Sequence, residues 1–300
     1  MDANKFLKDL LKAHEVAPDS KEMKALEEER AKVEKLINAE YADTKPTIKF
    51  GGSKAKGTMI LESYDLDLPV YFANGDRKDE SLHDIYKSMA KCLEKEYHVE
   101  QKRSALRLKK KGKQNEHEDF RIDVVPGRYT DDTKTDSYLY VNDQSEKERL
   151  KTNLQTHVDH VKDSGFLGEI RLLKLWKVRN NIEVKTFILE LLTIKILSDD
   201  KYNETFEKNL KHIWTKIRDG IDDITLEDPA NPSGNDLSKI FTSSMKADLK
   251  AAAKSALKKV EQEDGWYAVF GEAKLESQKS YASAYVSPND VRSKPWRAWW

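Results

Sequence analysis

The stretch from Phe50 to Phe72, FGGSKAKGTMILESYDLDLPVYF, constrains this chain more than any other. An apolar run ends in Gly51-Gly52-Ser53, and about a dozen residues later a second run carries Asp65 and Asp67 two positions apart. Successive side chains alternate along a β-strand, so a spacing of two puts both carboxylates on one face. Two such anions repel unless a cation lies between them, and hard oxygen donors with room for water and phosphate suit magnesium. A later run, FRIDVVP, sets Asp123 among Ile122, Val124 and Val125. A strand bound for the core rarely keeps a carboxylate without a partner.

Upstream of the paired aspartates, two glycines let the backbone approach an anion closely. Ser53 adds a hydroxyl, and the first amides of a following helix point to the same place. A Gly-Gly-Ser turn alone, or an Asp-x-Asp alone, is common in proteins of every kind. Their order raises the information content: strand, Gly-Gly-Ser, Asp-x-Asp inside an apolar strand, then an isolated strand aspartate.

The flanking sequence predicts a two-part α+β chain. Ser20 can cap a helix whose apolar residues Met23, Leu26, Val33, Ile37 and Tyr41 recur every three to four positions, ending near Pro46. Residues 47–126 alternate β-rich runs (TIKF, LDLPVYF, ALRLK, FRIDVVP) with one helix between Glu80 and Tyr97. From about Leu150 the period is helical, through Ile170, Leu173 and Trp176, then Phe187, Leu191 and Ile194, then Leu210, Ile213, Trp214 and Ile217. EDPANPSGND interrupts it before a helix resumes over Leu237–Val260. This divides the chain into a mixed-sheet lobe with N-terminal helices over residues 1–150 and a mostly helical lobe over residues 151–300.

Residues 50–126 resemble the DNA polymerase beta nucleotidyltransferase superfamily, whose pattern is Gly-Gly/Ser, Asp-x-Asp or Asp-x-Glu, then a third Asp. Three helical-half segments narrow the resemblance to oligoadenylate synthetases, cyclic GMP-AMP synthases and their bacterial CD-NTase branch. In IRLLKLWK, Lys174 matches a lysine that reaches the triphosphate. In TFILELLT, Phe187 matches a ring that stacks on the donor base, and Thr186 a small polar residue that meets the nucleotide. LEDPANPSGND resembles an Asp-Pro-x-x-Pro loop beside the cleft. The resemblance implies that Asp65, Asp67 and Asp123 hold two Mg2+ ions, with Mn2+ also admissible, and that Gly52, Ser53, Lys174, Thr186 and Phe187 hold the donor nucleotide.

It further implies a cyclic di- or trinucleotide synthase, with ATP among its substrates, serving anti-phage signalling and open to a protein activator. Two alternatives keep the chemistry: a template-independent RNA nucleotidyltransferase and a linear 2'-5' oligoadenylate synthase. A third, a non-catalytic nucleotide or RNA sensor, keeps only the fold. Without the resemblance, Lys174 reads as part of a solvated helix face and Phe187 as core. Glu190 reads as structural, paired with a base.

Composition narrows the rest. The 53 basic and 53 acidic side chains leave no global field to draw in nucleic acid or an anionic membrane, so nucleic acid is not expected as an obligate partner. No apolar run approaches the ~20 residues of a membrane helix. The single cysteine, Cys92, excludes an internal disulfide framework, suits a core position and fits the cytoplasm expected here. The basic run Leu108–Lys113 reads as a solvated hairpin tip rather than a nucleic-acid patch, because Glu116, Glu118 and Asp119 follow it. His157 and His160 lack the further ligands of a zinc site, so no zinc is expected. The C-terminal tryptophans at 296, 299 and 300 read as rings docked on a lobe or as a partner-binding tail.

Overall fold

The computed structural model describes residues 2–111, 119–142 and 149–272. Within them lie seven strands of one mixed sheet: β1 (Thr47–Ile48), β2 (Leu66–Phe72), β3 (Tyr97–Gln101), β4 (Leu106–Lys110), β5 (Asp119–Tyr129), β6 (Ser137–Tyr140) and β7 (Arg149–Thr152). The eleven-residue β5 is its spine. β2 runs parallel along one side, while β4 and β6 pair antiparallel with the first and last parts of the other. All seven residues of β2 are buried, so its sequence is a nearly unbroken apolar run. β1 pairs with only two residues of β2, and the next amide, that of Lys49, reaches the Pro69 carbonyl. Pro69 can return no hydrogen bond there, which limits the ladder on that side.

Among the described residues ten α-helices accompany the sheet: α1 (Ala3–Ala13), α2 (Lys21–Glu40), α3 (Gly52–Lys56), α4 (Leu82–Leu93), α5 (Leu154–Lys162), α6 (Leu167–Arg179), α7 (Thr186–Asp199), α8 (Phe206–Gly220), α9 (Ser243–Val260) and α10 (Gly265–Phe270). Local chemistry sets their ends. Ser20 caps α2 through the Met23 amide, as the sequence predicts. The helix stops at Glu40 rather than near Pro46, with Tyr41 as its C-cap and Lys45 at φ +44° turning the chain. α4 is shorter than the expected span because Ser81 and Asp84 close a capping box at its start and Tyr97 already belongs to β3. Thr242 caps α9, so only a 3-10 turn occupies the first part of the span expected from Leu237.

Two large apolar cores result. One packs α2 and α4 (Val33, Ile37, Met89, Leu93) against the sheet through Leu68, Val70, Leu106 and Val124. Cys92 lies in it, its thiol pushed up to about 11 chiefly by burial, as fits a packing residue. The other core is helical and centres on Trp176, Trp214 and Trp266. Phe6, Leu7 and Leu10 of α1 belong to this second core, and so does Ile60, on the loop ahead of Asp65. The same loop is pinned by Glu62, whose Oε1 lies 2.8 Å from both His14 Nδ1 and Arg179 Nη2.

No helix among the described residues is long and apolar enough to cross a membrane. In the basic run, Lys109 pairs with Glu100 at 2.7 Å and Lys111 donates to the Lys95 carbonyl at 2.8 Å. Gly112, Lys113, Glu116, His117, Glu118, the side chain of Asp119 and the C-terminal tryptophans lie outside the described residues.

Candidate active site

β2 and β5 bring two of the three aspartates face to face. In their parallel register Asp67 pairs with Asp123, so the apolar runs that bury these strands also bury their carboxylates. Asp123 is fully buried and Asp67 is 8% exposed. Asp65 does not belong to the strand as expected: β2 begins at Leu66, and Asp65 is the last residue of the incoming loop, with its side chain 17% exposed.

Electrostatics set the three apart. The Asp67 carboxyl is pushed up to about 8, first by burial and then by the charges of Asp123 and Asp65. Asp123 is also raised by burial, but Arg107 and Lys102 pull against that effect. The Arg107 guanidinium is in register with Asp123 on β4, binds it through Nε and, at 2.8 Å, through Nη2, and extends Nη2 to 3.5 Å from Asp65. Lys102 Nζ lies 3.6 Å from Asp123. Among the described residues no three His, Cys, Asp or Glu side chains already converge on one point, and Arg107 bridges two of the carboxylates that would have to do so. The donor set still fits a hard divalent cation: oxygen ligands alone, with Asp67 opposed by two other carboxylates.

Gly52 lies directly beneath Asp67. It has φ +52°, and a Cβ added to it would stand 1.6 Å from Asp67 Oδ2. The Gly51 amide donates to the Asp67 carbonyl at 2.9 Å, holding the turn against β2, and Ser53 follows in α3. Gly52→Ala should therefore cost about 1–3 kcal/mol in urea unfolding and displace the Asp67 carboxylate. Unchanged stability and activity in that variant would show that the close approach is not maintained.

A cationic cluster adjoins the carboxylates. Lys174, on α6, is 3% exposed and donates to the Thr58 carbonyl at 2.6 Å, and its ammonium is pulled down to about 8 by burial. Lys177, one turn on, donates to Thr186 Oγ1 at 3.1 Å and is pulled down to about 7, again first by burial. Lys56, at the end of α3, pairs with Glu190 at 2.8 Å, and Thr58 Oγ1 donates to the same carboxylate at 3.3 Å. Glu190 is thus the structural partner of a base, as read from sequence. The Lys56 ammonium also lies 5.5 Å from the Phe187 ring centroid, and His157 packs edge-on against that ring at 5.3 Å. Asp228, from the Asp-Pro loop, fixes His157 at 3.4 Å and accepts from Asn235 at 2.6 Å.

The residues singled out from sequence therefore gather in one region, joined by residues that were not. Lys56 and Thr58 carried no readable signal, whereas Asp228 opens the Asp-Pro-x-x-Pro segment singled out from the sequence. Arg107 did, as a lone arginine inside the apolar run ALRLK.

No protein-family model matches the chain. A curated relative, the cyclic AMP-AMP-AMP synthase of Escherichia coli (strain MS 115-1), is 24% identical over an alignment of 230 residues covering 64% of this chain and 69% of that protein. Solved structures share the fold at lower identity. E. coli MS115-1 CdnC with ATP superposes with a TM-score of 0.68 at 19% identity, covering 91% of this chain and 98% of the other. CdnC in its complex with HORMA-deltaN gives 0.65 with the same identity and coverage. Vibrio cholerae DncV cyclic AMP-GMP synthase with nonhydrolyzable GTP gives 0.57 at 16% identity over 91% and 85%. The curated relative, the shared fold and the order of the site residues along the chain agree: the chain is similar to the CD-NTases and shares their polymerase beta-type nucleotidyltransferase fold.

Proposed function

We propose that this chain is a cyclic oligonucleotide synthase that joins nucleoside triphosphates, ATP among them, with release of pyrophosphate. The observation that carries the reading is the proximity of two charge clusters: the buried carboxylates of Asp67 and Asp123 with Asp65 beside them, and the buried ammoniums of Lys174 and Lys177, which feel the charge of Asp65. A magnesium–triphosphate complex has the complementary pattern, with cations against the first cluster and a polyanion against the second. Two divalent ions, Mg2+ or Mn2+, held by Asp65, Asp67 and Asp123 would supply charge neutralisation at the α-phosphate and activation of the attacking hydroxyl.

The chain's own residues do the rest. Gly52 leaves room for the Asp67 carboxylate, and Ser53, next in the chain, offers its hydroxyl to phosphate. Lys174 and Lys177 offset charge gathering on the departing pyrophosphate, Thr186 orients Lys177, and Phe187 offers its ring to the donor base. Holding donor and acceptor in line contributes much of the rate. The linear product then turns round, and the same cleft closes the ring. In this reading residues 1–150 form the catalytic lobe and residues 151–300 the lobe that grips the donor. The cytosol, where nucleoside triphosphates are abundant, is the setting, with neither nucleic acid nor membrane required. The CdnC complex with HORMA-deltaN motivates a protein activator and a role in anti-phage signalling for this chain as well.

The test is to incubate the purified chain with four ribonucleoside triphosphates and Mg2+, treat with phosphatase, and identify what survives by mass spectrometry. A phosphatase-resistant cyclic species is expected, and its mass names the bases and ring size. Linear products alone would replace cyclisation with the oligoadenylate-synthase or RNA-primed alternative.

A further inference from the structure

Asp65 stands outside β2, so the strand pairing that places Asp67 opposite Asp123 does not place it. It is delivered by residues 58–64, of which Met59, Leu61 and Tyr64 lean their side chains on the sheet core. The directional contacts of the same segment go elsewhere, to α6 and the end of α1. The Thr58 carbonyl accepts from Lys174, Ile60 is seated in the helical core, and the Leu61 amide donates to the His14 carbonyl at 3.0 Å. Glu62, three residues ahead of Asp65, makes the one charged contact of the series. Its side chain is 4% exposed, Oε1 serves both Arg179 and His14, and Oε2 is buried with no hydrogen-bond partner among the described residues. An imidazole carrying its proton on Nδ1 donates to Glu62 and, through Nε2, accepts from Arg179 Nη2 at 2.8 Å. Arg179 is steadied from behind, its Nη1 donating to the carbonyls of Phe270 and, at 3.3 Å, Glu272.

Burial disfavours the Glu62 charge, but His14 and Arg179 outweigh it and hold the carboxyl below its usual range. A buried carboxylate left half-satisfied in a loop calls for a role beyond packing, since an apolar side chain would fill the same space at less cost. We propose that the bridge between Glu62 and Arg179 positions Asp65, fixing where its carboxylate stands relative to Asp67 and Asp123 and keying it to α6. The proposal rests on the synthase reading and deepens it. Lys174, Lys177 and Arg179 lie on the last part of α6, along about 8 Å of helix. One stiff element thus presents the lysines meant for the triphosphate and anchors the loop that presents the metal ligand. Apolar contacts are non-directional and let a loop slide, whereas a charge-assisted hydrogen bond fixes a distance. Neither Glu62 nor Arg179 touches the reacting atoms; both act through Asp65.

Metal binding and turnover can be read separately on the full chain. Thermal unfolding with a saturating nonhydrolysable ATP analogue and increasing Mg2+ gives the Mg2+ concentration for half-maximal stabilisation, and the joining rate gives a second half-point. Glu62→Gln and Arg179→Met are each expected to raise both half-points roughly 10-fold or more and to lower the rate at saturating Mg2+. Affinity for the analogue in EDTA, by calorimetry, should stay parental, because Lys174 and Lys177 remain on α6. The two substitutions combined should cost little more than either alone, since they remove one contact. Leu249→Ala is the comparison for lost stability alone: it truncates a fully buried side chain of the helical core on α9, and should lower the unfolding temperature with parental Mg2+ half-points. Arg179→Lys keeps the charge but not the fork that spans Glu62 and the Phe270 carbonyl, so it should shift the half-points in the same direction, and it decides the matter if the other variants do not fold. Parental Mg2+ half-points beside a lowered unfolding temperature would make the bridge a packing contact and overturn the proposal, leaving the synthase reading intact. A parent chain that joins no nucleotides overturns the synthase reading, while the stabilisation curves still decide what the bridge does.

Discussion

Asp67→Asn is expected to abolish nucleotide joining, by at least about 1,000-fold, while making the metal-free protein more stable at pH 8.5 than the parent. The two effects have one cause. Burial and the neighbouring charges of Asp123 and Asp65 raise the Asp67 carboxyl from 3.8 to about 8. The folded state thus holds a proton that the unfolded chain releases near pH 4. Stability from this group is fully present below the unfolded value and is lost as pH rises through about 8, a slope that amounts to on the order of a few kcal/mol. Asparagine keeps the shape and removes the charge, so the slope should vanish together with the ligand.

Added magnesium should stabilise the parent increasingly as pH rises and the variant much less, because metal and proton compete for the same oxygens. Thermal unfolding at pH 6 and 8.5, with EDTA or with Mg2+, reads both. A variant with parental activity would remove Asp67 from the metal site. A variant with the parental pH slope would show that another group is responsible for the slope.

Arg107→Met is expected to destabilise the chain by about 3–5 kcal/mol, among the largest effects available to a single surface-neutral substitution here. Arg107 is 1% exposed, and its partner Asp123 is fully buried. Removing the guanidinium leaves a carboxylate in the sheet core with Lys102 at 3.6 Å as its nearest remaining cation. The double variant Arg107→Met with Asp123→Asn should recover much of the loss, since it removes both halves of the pair, and the difference from additivity in urea unfolding measures their interaction. Arg107→Lys should not rescue, because an ammonium cannot reproduce the two-pronged contact through Nε and Nη2. Additive losses, or a single-variant cost under about 0.5 kcal/mol, would mean that Asp123 is held some other way.

What the sequence disclosed, and what it withheld, follows from where each interaction closes. β2 and β5 were legible because strands covered on both faces are long apolar runs, and Asp67 and Asp123 stood out as charges inside them. Arg107 had the same signature on β4, but the lysines after it made the segment read as a basic run. β3, β6 and β7 were missed: they lie towards the margins of the sheet and are four or five residues long; β3 and β7 mix exposed with buried positions, and β6 alternates over only four residues, too few for a period of two to rise above the loops. Lys56 was invisible for a different reason. Its carboxylate partner, Glu190, is 134 residues away, and nothing local to GGSKAKG marks that lysine from its neighbours Lys54 and Lys49. Chemistry written within one strand could be read from the sequence, whereas chemistry assembled between the two cores could not.

The division of the cores also has a topological side. The chain starts in the helical core with α1, leaves it to build the sheet core, and returns at α6, so the sheet unit is an insertion whose ends lie between Leu11 and Val16 and between Leu150 and Phe166, with Ile60 dipping back into the host core between them. Ile60, seated in the host core five residues ahead of Asp65, ties the loop that carries Asp65 to the helices, whereas Asp67 and Asp123 take their places from the paired strands of the sheet. The three carboxylates are thus surveyed from two different foundations, and their mutual alignment depends on how the two cores are seated on each other.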